Sequence, residues 1–250
     1  MRSPLQRLDR VPVPPDVTAN ATVARTWSPW RAVMGFGVVS LSADMVYEGA
    51  RAVSGPLLAS LGASAVLVGL VTGAGEAMAL VLRLFSGSWA DRSGRYWTLT
   101  LAGYALTALC VPALAVTPFL AGAGLAVACV LILAERTGKA VRSPAKSALL
   151  AHAADAVGLG RGLAVHKALD QAGAVAGPLL VAGVVTVTGV LWPALAILVV
   201  PGAVALLILI WLRSRMDDPA PEPSVAAANG PAAPPRESAR RRAAGLPAAF

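Results

Sequence analysis

The sequence predicts an all-α membrane protein with six transmembrane helices, and three observations carry that prediction. The chain is 56% hydrophobic and 14% charged, with a mean hydropathy of +0.67, whereas a soluble domain carries about 25% charged residues. Its apolar residues gather into six stretches, each with about the 20 residues that a helix rising about 1.5 Å per residue needs to cross a bilayer. Most of its 21 basic residues fall outside those stretches, in the two terminal segments and in alternate separators. A net charge of +8 on a soluble chain would suggest a nucleic-acid partner. Basic residues confined to alternate separators instead record membrane topology, and the partner they imply is the lipid bilayer.

Residues 1–31 contain Arg2, Arg7, Arg10, Arg25 and Arg31 and no apolar core. They predict a cytoplasmic N-terminal segment and not a cleaved secretory signal. The transmembrane domain is expected over 32–212. Its first stretch, Ala32–Leu61, is overlong, and Gly55-Pro56 is expected to kink it near its far end. Ala65–Trp89, Tyr96–Val116, Leu120–Ala140, Gly162–Val187 and Leu191–Leu212 follow. Between the fourth and fifth stretches, Ser143-Pro144 suits an N-cap and first turn, which predicts a short helix along the inner surface. Residues 213–250 read as a cytoplasmic linker, and their Pro- and Ala-rich part from Asp217 to about Ala233 as largely disordered.

Sidedness follows from the separators. Arg92 and Arg95 mark the second, and Arg142, Lys146 and Arg161 the fourth, with Arg136 and Lys139 just before it. Arg213, Arg215, Arg236, Arg240, Arg241 and Arg242 follow the sixth stretch. Gly62–Ser64, Thr117–Phe119 and Thr188–Val190 contain no Lys or Arg. Both termini are therefore expected in the cytoplasm, in a multi-pass plasma (cytoplasmic) membrane protein. Trp27, Trp30, Trp89, Trp97 and Trp211 fall at the predicted inner interface and Trp192 at the outer one, where amphipathic rings settle.

Ionisable groups inside spans cost about 2.5–3.5 kcal/mol each on an insertion scale, so each needs a reason. Asp44, Glu48 and Arg51 lie at i, i+4 and i+7, on one face of the first stretch. Glu76 occupies the middle of the second, with Arg83 on the same face. His166 and Asp170 share a face of the fifth, and Glu135 and Arg136 end the fourth as an inner charge cluster. These groups either neutralise one another as structural ion pairs or line an aqueous cavity that binds substrate or a proton. Asp44, Glu48, Arg51, Glu76 and Asp170 are the candidates for substrate binding and proton coupling, since a carboxylate out of water resists ionisation. His166 is expected at the inner interface. Cys110 and Cys129 lie inside apolar stretches and read as small hydrophobes, so neither a disulfide nor a metal site is expected. No catalytic constellation stands out, and neither an enzyme activity nor a cofactor is predicted.

The second separator reads Gly87-Ser-Trp-Ala-Asp91-Arg92-Ser-Gly94-Arg95. Its glycines permit a tight turn and close helix approach, and Asp91 offers a carboxylate to arginines or to a helix N-terminus. The spacing G-x-x-x-D-R-x-G-R resembles the signature loop between the second and third helices of major facilitator superfamily transporters. The fifth stretch adds Gly173, Gly177 and Pro178. The small residues let helices approach closely, and together they resemble a fifth-helix motif of that superfamily's antiporters, which are mostly exporters. Where that motif has a double glycine, this chain has Val181-Ala182, which leaves the direction of transport open. Glu135–Pro144 and Ala164–Leu180 also resemble a bacterial drug- or multidrug-efflux group.

The resemblance covers about Arg31–Arg215. It implies a half bundle of two inverted three-helix repeats, with substrate bound between two such halves. Gly87, Asp91, Arg92, Gly94 and Arg95 would form a cytoplasmic gating loop, and Gly173, Gly177 and Pro178 a packing and switching element. The implied activity is proton-coupled secondary transport of a small molecule by alternating access, with no chemistry on the substrate. On this reading the chain corresponds to an amino-terminal half, working with a second six-helix half or as a homodimer. The alternative is a non-transporting membrane fragment or accessory subunit that needs a partner half.

Overall fold

The computed structural model describes residues 28–216. The expected N-terminal segment up to residue 27 and the linker beyond residue 216 lie outside the described residues. The described part is helical, with no strand among the described residues. Its elements are α1 (Pro29–Ser60), α2 (Ala65–Ser93), α3 (Tyr96–Ala113), α4 (Gly124–Asp155), α5 (Leu159–Thr188), α6 (Leu191–Ala196) and α7 (Val199–Arg213), with 3-10 turns at Leu114–Phe119 and Ala121–Ala123.

Local chemistry sets the ends. Pro29 starts α1, where its missing N–H costs nothing. The Ser64 hydroxyl caps α2 by accepting from the Leu67 N–H at 3.3 Å. Gly94, at φ 62°, ends α2 in the left-handed conformation that glycine tolerates. Pro201 has no N–H to donate to Ile197, and there the sixth apolar stretch tightens and divides into α6 and α7. Pro56 does not break α1.

Two expectations are corrected. The short surface helix after the fourth stretch does not exist as a separate element, because α4 runs unbroken through Ser143-Pro144 for 32 residues. Burial of Ala145, Leu149, Leu150, Ala153 and Ala154 outweighs the one backbone hydrogen bond that Pro144 forgoes. The signature segment is also mostly helix: Gly87–Ser93 forms the last turns of α2, and only Gly94 and Arg95 form the turn into α3.

Five helical stretches among the described residues are long and apolar enough to cross a membrane: Ala65–Ser93, Tyr96–Phe119, Ala121–Asp155, Leu159–Thr188 and Leu191–Arg213. α1 has the length, with 32 residues, but Asp44, Glu48 and Arg51 reduce its apolar character. It compensates by burial. α1 packs along α5 and α7 and against α4, while α4 lies between α2 and α3.

The core is two apolar clusters at different heights along the bundle. One gathers Val33, Phe36, Val39, Trp97, Leu149, Leu209 and Leu212, with Phe36 stacked on Trp97 at 5.8 Å between ring centroids. The other gathers Val46, Val53, Leu57, Leu114, Ile132, Val181, Leu195 and Leu198. Between them lies a polar layer drawn from the same helices: Asp44 and Tyr47 of α1, Thr107 of α3, Glu135, Arg136, Lys139 and Arg142 of α4. Apolar packing holds the bundle above and below the layer, so the charges need not stabilise the fold themselves.

Candidate functional site

Close backbone contact builds the site. A Cβ on Gly173 would overlap the Leu41 backbone, and one on Gly177 the Met45 backbone, so α5 lies directly on α1. Gly49 completes this seam, its own Cβ position being 3.2 Å from the Gly177 carbonyl oxygen. A second seam joins α3 to α4, where a Cβ on Gly138 would come within 2.9 Å of the Gly103 carbonyl oxygen. These two seams fix which faces of α1, α4 and α5 meet.

The meeting faces line a half-open cavity of about 560 Å³. Asp44 and Glu48 line it from α1, Lys139, Arg142 and Lys146 from α4, and His166, Lys167 and Asp170 from α5. Asp44 and Asp170 face the cavity from the two sides of the α1–α5 seam, and Asp170 pairs with Lys167. Lys146 Nζ donates to Ser40 Oγ at 2.8 Å, and that hydroxyl also lies 3.3 Å from His166 Nε2. Lys139 Nζ sits 2.9 Å from the Tyr47 ring centroid, a cation–π contact. Arg142 stacks over the Tyr104 ring at 4.3 Å and donates to Thr107 Oγ1 and the Gly103 carbonyl.

A charge chain leads out of the cavity toward α2. Glu48 pairs with Arg51 at 3.4 Å, and Arg51 reaches Glu76 at 4.0 Å. Glu76 meets Arg136 at 3.5 Å and accepts from the Tyr47 hydroxyl at 3.3 Å. Arg136 also contacts Glu135 at 3.7 Å, and Glu135 accepts from Thr107 at 3.4 Å. The side chains of Glu135 and Arg136 are 7% and 5% exposed, whereas Arg51 and Glu76 are 55% and 51% exposed. One end of the network is thus inside the bundle and the other on its outer face. Arg83 lies with Glu76 along a smaller groove of about 300 Å³.

Of the residues singled out from sequence, Asp44, Glu48 and Asp170 line the cavity, while Arg51 and Glu76 belong to the adjoining chain. Two placements change. Glu135 and Arg136 lie well inside α4 rather than at its end, because the helix continues to Asp155. His166 is buried on the cavity wall and not at an interface, because the α5 seam turns it toward Ser40. Lys139 and Lys146 were missed as site residues: positioned at the inner end of an apolar stretch and in the separator after it, they read as topology signals. Their spacing with Arg142, at i, i+3 and i+7, was the available clue to a shared face.

The signature segment lies apart from the cavity. Asp91 Oδ1 accepts from the Tyr96 hydroxyl at 3.2 Å across the turn, and among the described residues it makes no ion pair with an arginine. Arg92 and Arg95 are exposed. A Cβ on Gly87 would stand 3.8 Å from Pro144, so the end of α2 lies against the middle of α4, where Ser86 Oγ donates to the Ala140 carbonyl at 3.1 Å. Cys110 and Cys129 are free thiols, and no group of three or more metal-ligating side chains occurs among the described residues.

Comparison with known proteins adds to this geometry. The family model described as Major Facilitator Superfamily matches residues 21–249. An uncharacterized protein of Mycobacterium tuberculosis (strain ATCC 25618 / H37Rv) is 59% identical over 193 residues, covering 77% of this chain and 46% of the relative. An uncharacterized protein of Mycobacterium bovis (strain ATCC BAA-935 / AF2122/97) matches with the same identity and coverage. The chain spans about half the length of these curated relatives. No solved structure matches the chain.

Proposed function

The chain belongs to the major facilitator superfamily, and from that premise we propose that it moves a small molecule across the plasma membrane by alternating access. The observation that carries this reading is the charged cavity at the level of the polar layer, flanked by apolar clusters, in helices that otherwise suit lipid. A soluble ligand could reach no comparable site on an apolar bundle. The movement is driven by protons and directed outward, with both termini in the cytoplasm. Asp44 and Asp170 form the proton site, because two carboxyl groups facing one cavity away from bulk water hold one proton between them and release it when the helices part. Lys139, Lys146 and His166 face that pair from α4 and α5 and respond to its charge. The seam at Gly173, Gly177 and Pro178 is the surface on which α5 shifts against α1. The segment Gly87, Asp91, Arg92, Gly94 and Arg95 governs the cytoplasmic gate.

Arg51 and Glu76 are half exposed on the flank of an apolar bundle, which favours a second six-helix half, or a second copy, covering that flank. The same exposure favours the alternative of an accessory half that does not transport alone. Proteoliposomes containing the chain test the reading: a pH gradient should drive accumulation of at least one solute from a panel. Asp44→Asn and Glu48→Gln should abolish accumulation against a gradient while leaving downhill exchange. Undiminished accumulation in both variants would make the carboxylates structural.

A further inference from the structure

We infer that the cavity takes a small organic anion, a molecule bearing a carboxylate or phosphate group, seated on the cations of α4. The inference rests on the transport reading of this cavity and names its substrate class. It comes from matching each charge on the cavity wall with its partner. Two of the three acids have cationic partners, Glu48 with Arg51 and Asp170 with Lys167, which leaves Asp44 alone on the wall shared with the α4 cations. Those cations outnumber it. Among the described residues, Lys139, Arg142 and Lys146 make no ion pair. Their contacts are the Tyr47 ring, the Tyr104 ring with Thr107 and the Gly103 carbonyl, and the Ser40 hydroxyl.

Three cations that form no close ion pair, in a polar layer between two apolar clusters, are costly to hold, and an anion in the cavity offsets that cost. Neutral rings and hydroxyls orient these side chains without consuming their charge. Their i, i+3, i+7 spacing spreads them over about 10 Å of helix, further than one inorganic ion can reach. The cavity volume of about 560 Å³ suits a compact organic molecule. A cationic ligand would meet one acid without an ion pair, Asp44, and three repelling charges.

The test uses the 250-residue chain in phosphatidylcholine nanodiscs, with carboxyfluorescein as the anionic probe and ethidium as a cationic probe of similar size. Fluorescence anisotropy should report carboxyfluorescein binding and no ethidium binding. Lys139→Gln and Lys146→Gln should each weaken it about tenfold, the effect of one lost charge-assisted contact. Lys146→Arg, which retains the charge, should bind within about threefold of the parent, which guards against loss through misfolding. Preferential ethidium binding would overturn the inference, as would carboxyfluorescein binding that neither substitution weakens. So would inorganic phosphate competing as tightly as the organic probe, or loss of binding in phosphatidylglycerol nanodiscs, which would assign the cations to a lipid headgroup. Equilibrium binding needs no gradient, so the two readings fail separately. Anion binding without solute movement in proteoliposomes removes the transport reading alone, and transport of cations alone removes this inference alone.

Discussion

At the scale of single residues, Asp91 has a more local partner than its motif suggests. Its carboxylate accepts from Tyr96 across the α2–α3 turn, while Arg92 and Arg95 point to solvent. This bond ties the last turn of α2 to the first turn of α3, and Gly94 supplies the left-handed residue between them. Asp91→Asn keeps the shape and an acceptor oxygen but removes the charge, so insertion and thermal stability should stay near the parent. If the turn gates transport, solute flux should fall at least about tenfold, the effect of about 1.4 kcal/mol. Tyr96→Phe should reproduce part of the loss. Normal flux at normal expression in both variants would remove the gating role. Glu135 and Arg136 behave differently, since both are buried in α4. Glu135→Ala should leave the buried Arg136 paired only with the half-exposed Glu76 and lower stability by about 3 kcal/mol, measured as the thermal midpoint in detergent.

At the scale of elements, the α1–α5 seam determines the site. Gly173 and Gly177 lie on α1 so closely that a side chain at either position meets backbone, which cannot rotate away. Gly177→Leu should therefore force α5 off α1, costing about 1–3 kcal/mol and moving Asp170 away from Asp44. Gly183→Leu makes the internal control, because a Cβ there meets nothing within 4 Å. Equal thermal midpoints for the two variants would mean that the seam does not hold the helices together. α4 imposes the complementary order: its run through Pro144 places Lys139, Arg142 and Lys146 on one continuous face. A break at Ser143-Pro144 would have sent Lys146 to the membrane surface.

At the scale of the whole molecule, the apolar outer faces of α2 and α5 and the half-exposed Arg51 and Glu76 describe a bundle with one kind of surface for lipid and another for a polar or protein neighbour. The topology is directly checkable. With Cys110 and Cys129 replaced by Ala, single cysteines in Gly62–Ser64 and in Thr188–Val190 should react with impermeant maleimide in intact cells. One at Ser88, exposed near the end of α2, should react only after the membrane is opened. Labelling of Ser88 in intact cells would reverse the orientation.

The sequence by itself determined the membrane class, because apolar length and composition act locally and each stretch carries its own signal. It also determined the family through the spaced residues from Gly87 to Arg95, and it set Asp44, Glu48, Glu76 and Asp170 apart, because ionisable groups stand out in apolar helices. Only the tertiary structure decided which charges share a cavity. Lys139 and Lys146 carry the same local signal as ordinary inner-side charges, and His166 that of an interfacial residue. What distinguishes them is the contact of α1 with α4 and α5, more than a hundred residues apart at Ser40 and His166. That contact depends on backbone approach at Gly49, Gly173 and Gly177, whose closeness no single helix records. The unbroken α4 was hidden for the same reason: Pro144 argues locally for a helix start, and burial of Leu149 and Leu150 by other helices overrides it.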